Sequence, residues 1–214
     1  MITSIVQISR RLTAGLVVVA AVVSTACTTT SLVNMWHDPA YPKQPLNRIL
    51  VVALHKGPAA RRVWEDGFVA ALKDHGVDAT PSYQLFPTAD PDTTALLAAV
   101  GHRGFEGVLL THRQSATREP QYVPGYVTAG PGWYRGPWIN HYAMYYQRIY
   151  APGYVEINRV VRYEIDLWMT TGEARLVWSG TTASINPASS KQVNREIADQ
   201  IVPQLVQTGI IAGR

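Results

Sequence analysis

Arg48-Ile49-Leu50-Val51-Val52-Ala53-Leu54 is an unbroken apolar run of strand length, and Gly57-Pro58 ends it just before residues 59–75, where Trp64, Phe68, Ala71 and Leu72 recur at spacings of three and four. A continuous apolar run belongs to a strand covered on both faces, and the three-four spacing draws one apolar stripe along a helix. The pair therefore reads as a sheet strand feeding a helix, with Gly76 closing the helix as its C-terminal cap. The unit repeats more weakly. Residues 77–86 hold a short strand, 91–103 a helix with Leu96, Leu97 and Val100 on one side, and 105–112 a strand through Val108, Leu109 and Leu110. Right-handed crossovers make this β-α-β-α-β run largely parallel, with both helices expected on one face.

Further along, the period changes to two. Val155, Ile157, Val161, Tyr163, Ile165, Leu167 and Met169 share one parity, while Glu156, Asn158, Arg162, Glu164 and Asp166 share the other. That is a long strand with one wet side. Thr170-Thr171-Gly172-Glu173 turns it, and 174–182 returns as the antiparallel partner. Val193, Ile197, Ile201 and Leu205 then mark a last helix that Pro203 should kink or split. The fold expected is one α/β sandwich domain: a mixed sheet of β-α-β-α-β, an antiparallel hairpin and a C-terminal helix, with helices on one face. In architecture it resembles small envelope domains such as the N-terminal domain of the translocation protein TolB, a likeness that carries no function.

Ahead of the domain, Arg10 and Arg11 precede an aliphatic run from Leu12 to Val23, which breaks into Ser24-Thr25-Ala26-Cys27. A membrane-spanning helix needs about 20 apolar residues, so this shorter run reads as a cleaved export signal over 1–26. Val23-Ser24-Thr25-Ala26-Cys27 resembles the lipobox of bacterial lipoproteins, whose cysteine receives a diacylglyceryl group; Ser24 stands where that family carries a branched aliphatic residue. The same small residues also suit an ordinary signal peptidase, which would leave a free thiol. Cys27 is the one cysteine of the chain, so no internal disulfide exists. Each buried methylene of an acyl chain adds about 0.8 kcal/mol, so two or three chains anchor where one would detach. Thr28 follows, where the family's inner-membrane retention signal is an aspartate; the resemblance implies an outer-membrane lipoprotein, labelled by palmitate, facing the periplasm. Residues 28–32 read as a mobile polar tether within a lead-in over 27–47. Prolines 39, 42 and 45 deny that lead-in regular structure, and Trp36 is taken as core packing. The α/β domain is assigned to 48–214.

Loss of Arg10 and Arg11 with the signal lowers the formal charge from +4 to +2, and with 16% charged residues and no lysine run there is no footprint for nucleic acid. Between 119 and 154 lies the least ordinary stretch, carrying Tyr122, Tyr126, Trp133, Tyr134, Trp138, Tyr142, Tyr145, Tyr146, Tyr150 and Tyr154 among prolines 120, 124, 131, 137 and 152. A loop of this length inside a domain is functional or disordered, and aromatic content argues against disorder. Three readings stay open: the aromatics cover the sheet or extend the hairpin, they stack on a protein or glycan partner, or they rest on lipid headgroups beside Arg135 and Arg148.

Catalytic patterns are missing. Histidines 37, 55, 75, 102, 112 and 141 show no pairing that puts two ligands on one helix face, and there is no Gly-x-Ser-x-Gly elbow, phosphate loop or dinucleotide fingerprint. No metal or cofactor is expected. Glu164 and Asp166 point one way on a strand and read as a solvated face. At the ends of the first and third strands, His55 and the pair His112-Arg113 fall where open α/β sheets bind ligands, and could converge on an anion; a structural turn with exposed polar ends is the favoured reading.

The order Trp36-His37-Asp38-Pro39, Ile49 to Leu54, Arg61-Arg62-Val63-Trp64-Glu65-Asp66, Gly107-Val108-Leu109-Leu110 and Leu176-Val177-Trp178-Ser179-Gly180 resembles a group of uncharacterised proteobacterial lipoproteins. That resemblance implies an envelope address and no residue roles. The function expected is a non-catalytic outer-membrane lipoprotein whose domain binds a protein or glycan through the aromatic loop. The alternative is a hydrolase acting on the cell wall, its site assembled from residues distant in sequence.

Overall fold

In the computed structural model, the described residues are 30–42, 44–87, 92–126, 137–138, 140, 142 and 152–213. They contain β1 (Thr30–His37), β2 (Arg48–Leu54), α1 (Pro58–Asp74), β3 (Asp78–Pro81), α2 (Thr93–Arg103), β4 (Gly107–Val123), β5 (Tyr154–Met169), β6 (Arg175–Ile185) and α3 (Ser190–Gln207). The strands form one mixed sheet in the order β1-β6-β5-β4-β2-β3, so the chain is a single α/β domain with three helices among the described residues.

The Ile49–Ala53 run is buried on both sides, as its composition requires. β2 lies parallel to both β3 and β4, and its alternate residues feed two cores. Ile49, Val51 and Ala53 join Trp64, Phe68 and Leu72 of α1 and Ile197, Ile201 and Leu205 of α3 in the larger core; Leu50 and Val52 join Val108, with Leu96 and Val100 of α2 packed against them, on the opposite face. The three helices therefore do not share one face. From β2 the chain crosses outward to β3 and then returns past β2 to reach β4. Right-handed crossovers running in opposite directions along a sheet place their helices on opposite faces.

Local signals set the helix ends. Asp92 caps α2 by accepting from Ala95 N–H at 2.7 Å, and Gly104 closes it in the left-handed region at φ 64°. Ser189 caps α3 by accepting from Gln192 N–H at 3.2 Å. α3 runs unbroken through Pro203, since the apolar stripe that buries Ile201, Val202 and Leu205 outweighs one missing backbone bond.

Two more differences concern strands. Residues 30–32 of the stretch read as tether belong to a strand: β1 pairs antiparallel with β6, Thr30 Oγ1 and Ser184 Oγ share a buried hydrogen bond at 2.8 Å, and Gln200 of α3 donates to Thr30 O at 2.7 Å. Trp36, on this edge strand opposite Ser179, is half exposed rather than a core residue. β4 does not stop at His112. It continues to Val123 as the partner of β5, so 119–123 and 154, taken as loop, are strand.

Candidate functional site

β2 ends at Leu54, and the β5–β6 ladder ends where Val160 meets Ile185. Past those points β4 and β5 have only each other, and residues 118–123 and 154–159 project from the sheet as a two-stranded ribbon. Directly opposed residues share a face. Tyr122 with Val155, Pro120 with Ile157, and Arg118 with Arg159 occupy the face that continues inward through Val161 and Tyr163 to the α1–α3 core. Glu119 with Asn158, and Gln121 with Glu156, occupy the other.

The second face is locked by polar contacts. Arg162 donates to both Glu119 oxygens at 2.7 and 3.3 Å, and this pairing holds the carboxyl below its ordinary range. Asn158 donates to Gln121 at 2.7 Å and accepts from Asn186 at 2.7 Å; Asn186 itself sits at φ 48° and accepts from Arg159 N–H at 2.9 Å. These bonds straddle the point where β6 stops and stiffen the root of the ribbon. The first face has no such cover: Tyr122, Val155 and Ile157 are 66%, 60% and 59% exposed. Tyr122 lies against Gly153, where a Cβ would overlap its ring. Tyr126, Trp138 and Tyr142 are exposed as well. Cys27, Trp133, Tyr134, Tyr145, Tyr146 and Tyr150 lie outside the described residues.

Of the three residues grouped for anion binding, His55 and Arg113 lie on the α1–α3 side, both beside Tyr163, and His112 faces away from it. Neighbours on a strand face opposite ways, so Arg113, opposite Tyr163, looks toward the α1–α3 side, while His112 faces the other and sits 3.3 Å from Glu164 Oε2. His55 stacks on Trp64 with ring centroids 4.4 Å apart, and Trp64 in turn meets Tyr163 at 4.4 Å. Burial, then the charges of Arg113 and His112, lower the His55 pKa to about 4. At neutral pH it is an uncharged ring in an aromatic stack, and its buried Nε2 has no hydrogen-bond partner.

Sequence reading passed over the strongest polar cluster. Glu65, fully buried on α1, accepts from Arg61 Nε at 3.0 Å, Ser82 Oγ at 2.6 Å, Ala53 N–H at 3.2 Å and Tyr83 N–H at 2.8 Å. Arg61 also donates to Ser82 Oγ at 2.7 Å and Phe86 O at 3.2 Å. The i,i+4 spacing of Arg61 and Glu65 was the available signal. With every oxygen engaged by structure, the cluster ties α1 to β2 and to the turn after β3. An open groove of about 840 Å³ runs between α1 and α3, lined among others by Asp66, Asp74, Lys191, Arg195 and Ser189. Of these, the Ser189 hydroxyl accepts the helix-cap bond from Gln192 N–H at 3.2 Å. Among the described residues, no three His, Cys, Asp or Glu side chains gather as a metal site requires, and no helix is long and apolar enough to cross a membrane.

No family model and no curated protein matches the chain. Among solved structures it is similar to PelC from Paraburkholderia phytofirmans, crystallised as a dodecamer, at 13% identity and TM-score 0.45, covering 86% of this chain and 99% of that one. It is also similar to the lipoprotein GNA1162 from Neisseria meningitidis at 11% identity and TM-score 0.37, covering 74% of this chain and 97% of that one. At these values the likeness is one of chain course, and no residue role crosses with it.

Proposed function

We propose that this chain is a non-catalytic lipoprotein of the cell envelope, anchored through Cys27 in the outer membrane and facing the periplasm, whose working surface is the β4–β5 ribbon with the aromatic segment joining its strands. The observation that carries the reading is the ribbon itself: two strands leave a well-packed sheet to display Tyr122, Val155 and Ile157 to solvent. Exposed apolar and aromatic side chains in one place mark contact surfaces. The segment 124–153 is then the part offered to a protein or glycan partner, with Tyr126, Trp138 and Tyr142 at its described positions.

Replacement of 124–153 by a two-residue Asn-Gly turn leaves every described strand pair in place. Such a variant should keep its thermal transition and lose its partners in an envelope crosslinking pull-down; an unchanged set of captured partners refutes the reading. Palmitate labelling tests the anchor, with label expected on the native protein and absent from Cys27→Ala. The rival hydrolase would show itself as release of wall fragments by the purified protein.

A further inference from the structure

The outer half of the ribbon has an asymmetry that a partner-binding loop does not need. On one face Glu119 is paired with Arg162 and Gln121 with Asn158, with Glu156 exposed beside them. The other face is graded along its length. At the tip Tyr122, Val155, Pro120 and Ile157 make an apolar step, and immediately behind it Arg118 and Arg159 stand directly opposite one another. Like charges across a ladder repel. Both are exposed, and among the described residues neither side chain carries an ion pair. Apolar side chains leading and guanidinium groups trailing is the order in which a membrane presents its own layers, acyl boundary inside and phosphates above.

Strand directions add an independent constraint. β5 runs inward from the ribbon tip, β6 runs back toward it, and β1, antiparallel to β6, runs inward again. The chain ahead of Thr30 therefore comes from the ribbon's side of the sheet. Thr30 pairs with Ser184, which pairs with Val161, one step inside the level where the ribbon leaves β6. Cys27 is three residues upstream, a contour of at most about 11 Å. From Val160 to Tyr154 the ribbon extends about 20 Å in the same direction. With acyl chains on Cys27 seated in a bilayer, the ribbon tip reaches at least as far toward the lipid as the anchor does.

We propose that the Tyr122–Val155–Pro120–Ile157 face of the ribbon seats in the headgroup layer of an anionic membrane, with Arg118 and Arg159 on the lipid phosphates, so that the domain is held upright by two points rather than swinging on one. An apolar step one to two residue pairs deep, about 7–14 Å, matches the roughly 5–10 Å to which interfacial elements bury. The inference rests on the reading above that the ribbon is the working surface, and names a lipid surface for one face of it.

The test uses the acylated protein in vesicles of phosphatidylethanolamine with and without phosphatidylglycerol. Since Cys27 is the one cysteine and its thiol is consumed by the lipid, Ile157→Cys supplies the single site for a nitrobenzoxadiazole probe, and Glu173→Cys, in the turn at the opposite end of the sheet, supplies the control. The probe at 157 should shift to the blue, resist iodide several-fold better than the probe at 173, and be quenched by headgroup-level spin-labelled lipid. Arg118→Gln with Arg159→Gln should remove the dependence on phosphatidylglycerol. Iodide access at 157 equal to that at 173 overturns the proposal. If 157 is aqueous on vesicles yet crosslinks to protein or glycan in whole envelopes, the ribbon stays the working surface and the lipid assignment falls; if aqueous in both, the two fall together. Protein recovered without acyl chains removes the anchor and this proposal with it.

Discussion

Glu65→Gln changes one atom at the most constrained polar point of the fold. The native carboxylate takes three donors on Oε1, from Ala53 N–H, Arg61 Nε and Ser82 Oγ, and one on Oε2, from Tyr83 N–H. A glutamine can keep its oxygen toward the three, which turns its amide toward Tyr83 N–H, donor against donor. The reverse orientation loses three bonds instead of one. In the better orientation, one backbone N–H loses its acceptor, at about 1 kcal/mol or more. Arg61, buried with it, exchanges a carboxylate for a neutral amide while keeping Ser82 Oγ and Phe86 O, so the lower end of the 3–5 kcal/mol range for breaking a buried pair applies. Together that is about 4 kcal/mol, a large share of the roughly 5–15 kcal/mol by which domains are stable. At about 2–4 °C per kcal/mol for a chain of this size, the melting temperature should fall by roughly 8–16 °C. The assay is thermal unfolding by circular dichroism on the mature protein, with Asp66→Asn as control, because the Asp66 carboxylate accepts only the exposed Tyr83 hydroxyl, at 2.7 Å. A fall under about 2 °C for Glu65→Gln, or an equal fall for Asp66→Asn, would refute the assignment of the cluster as the strut of α1.

The remaining expectations can be checked on the same protein. His55 titrates at about 4 in the folded state against 6.5 unfolded, so the unfolded chain binds its proton first, and stability present above pH 6.5 is lost as pH falls through 4. Replacing it as His55→Phe should flatten the pH dependence of the urea midpoint over that window; an unchanged slope would place the proton elsewhere. Two glycine substitutions should act with opposite sign. A Cβ at Gly67 would overlap the Asn194 side chain, which donates to Trp64 O at 2.9 Å, so Gly67→Ala should destabilise by about 1–3 kcal/mol. A Cβ at Gly101 meets nothing within 4 Å, so Gly101→Ala in α2 should stabilise by about 0.5–1 kcal/mol in the same urea titration.

What could be read from the residues was whatever depends on near neighbours. The apolar run of β2, the stripe of α1 and the strict alternation of β5 each record burial on a known period, and the structure places Tyr163, Ile165 and Leu167 inward with Glu164 and Asp166 toward the wetter face. β1 escaped because its register slips between Leu32 and Asn34, so Leu32 and Met35 face the core side with two residues between them instead of one. β4 is cut short in the sequence because its outer half, from Arg113 to Pro120, buries no large apolar side chain and so carries no hydrophobic period; Pro120 is tolerated where β4 has a partner on one side only. The position of α2 depended on strand order, which no local pattern contains. So did the candidate site: the aromatic concentration was plain in the composition, whereas the juxtaposition of Arg118 with Arg159 required the register of two strands whose partners lie 41 residues apart in the chain.

β1 also decides how this domain bears a mechanical load. Tension applied to the chain ahead of Thr30, away from the sheet, runs along the axis of β1 and meets its ladder with β6 lengthwise, so the hydrogen bonds from Thr30 to His37 are strained together in shear. A strand pulled from its side would instead peel, one rung after another, at far lower force. Docked through Thr30 in this orientation, the molecule can be tugged by its N-terminus without being unzipped.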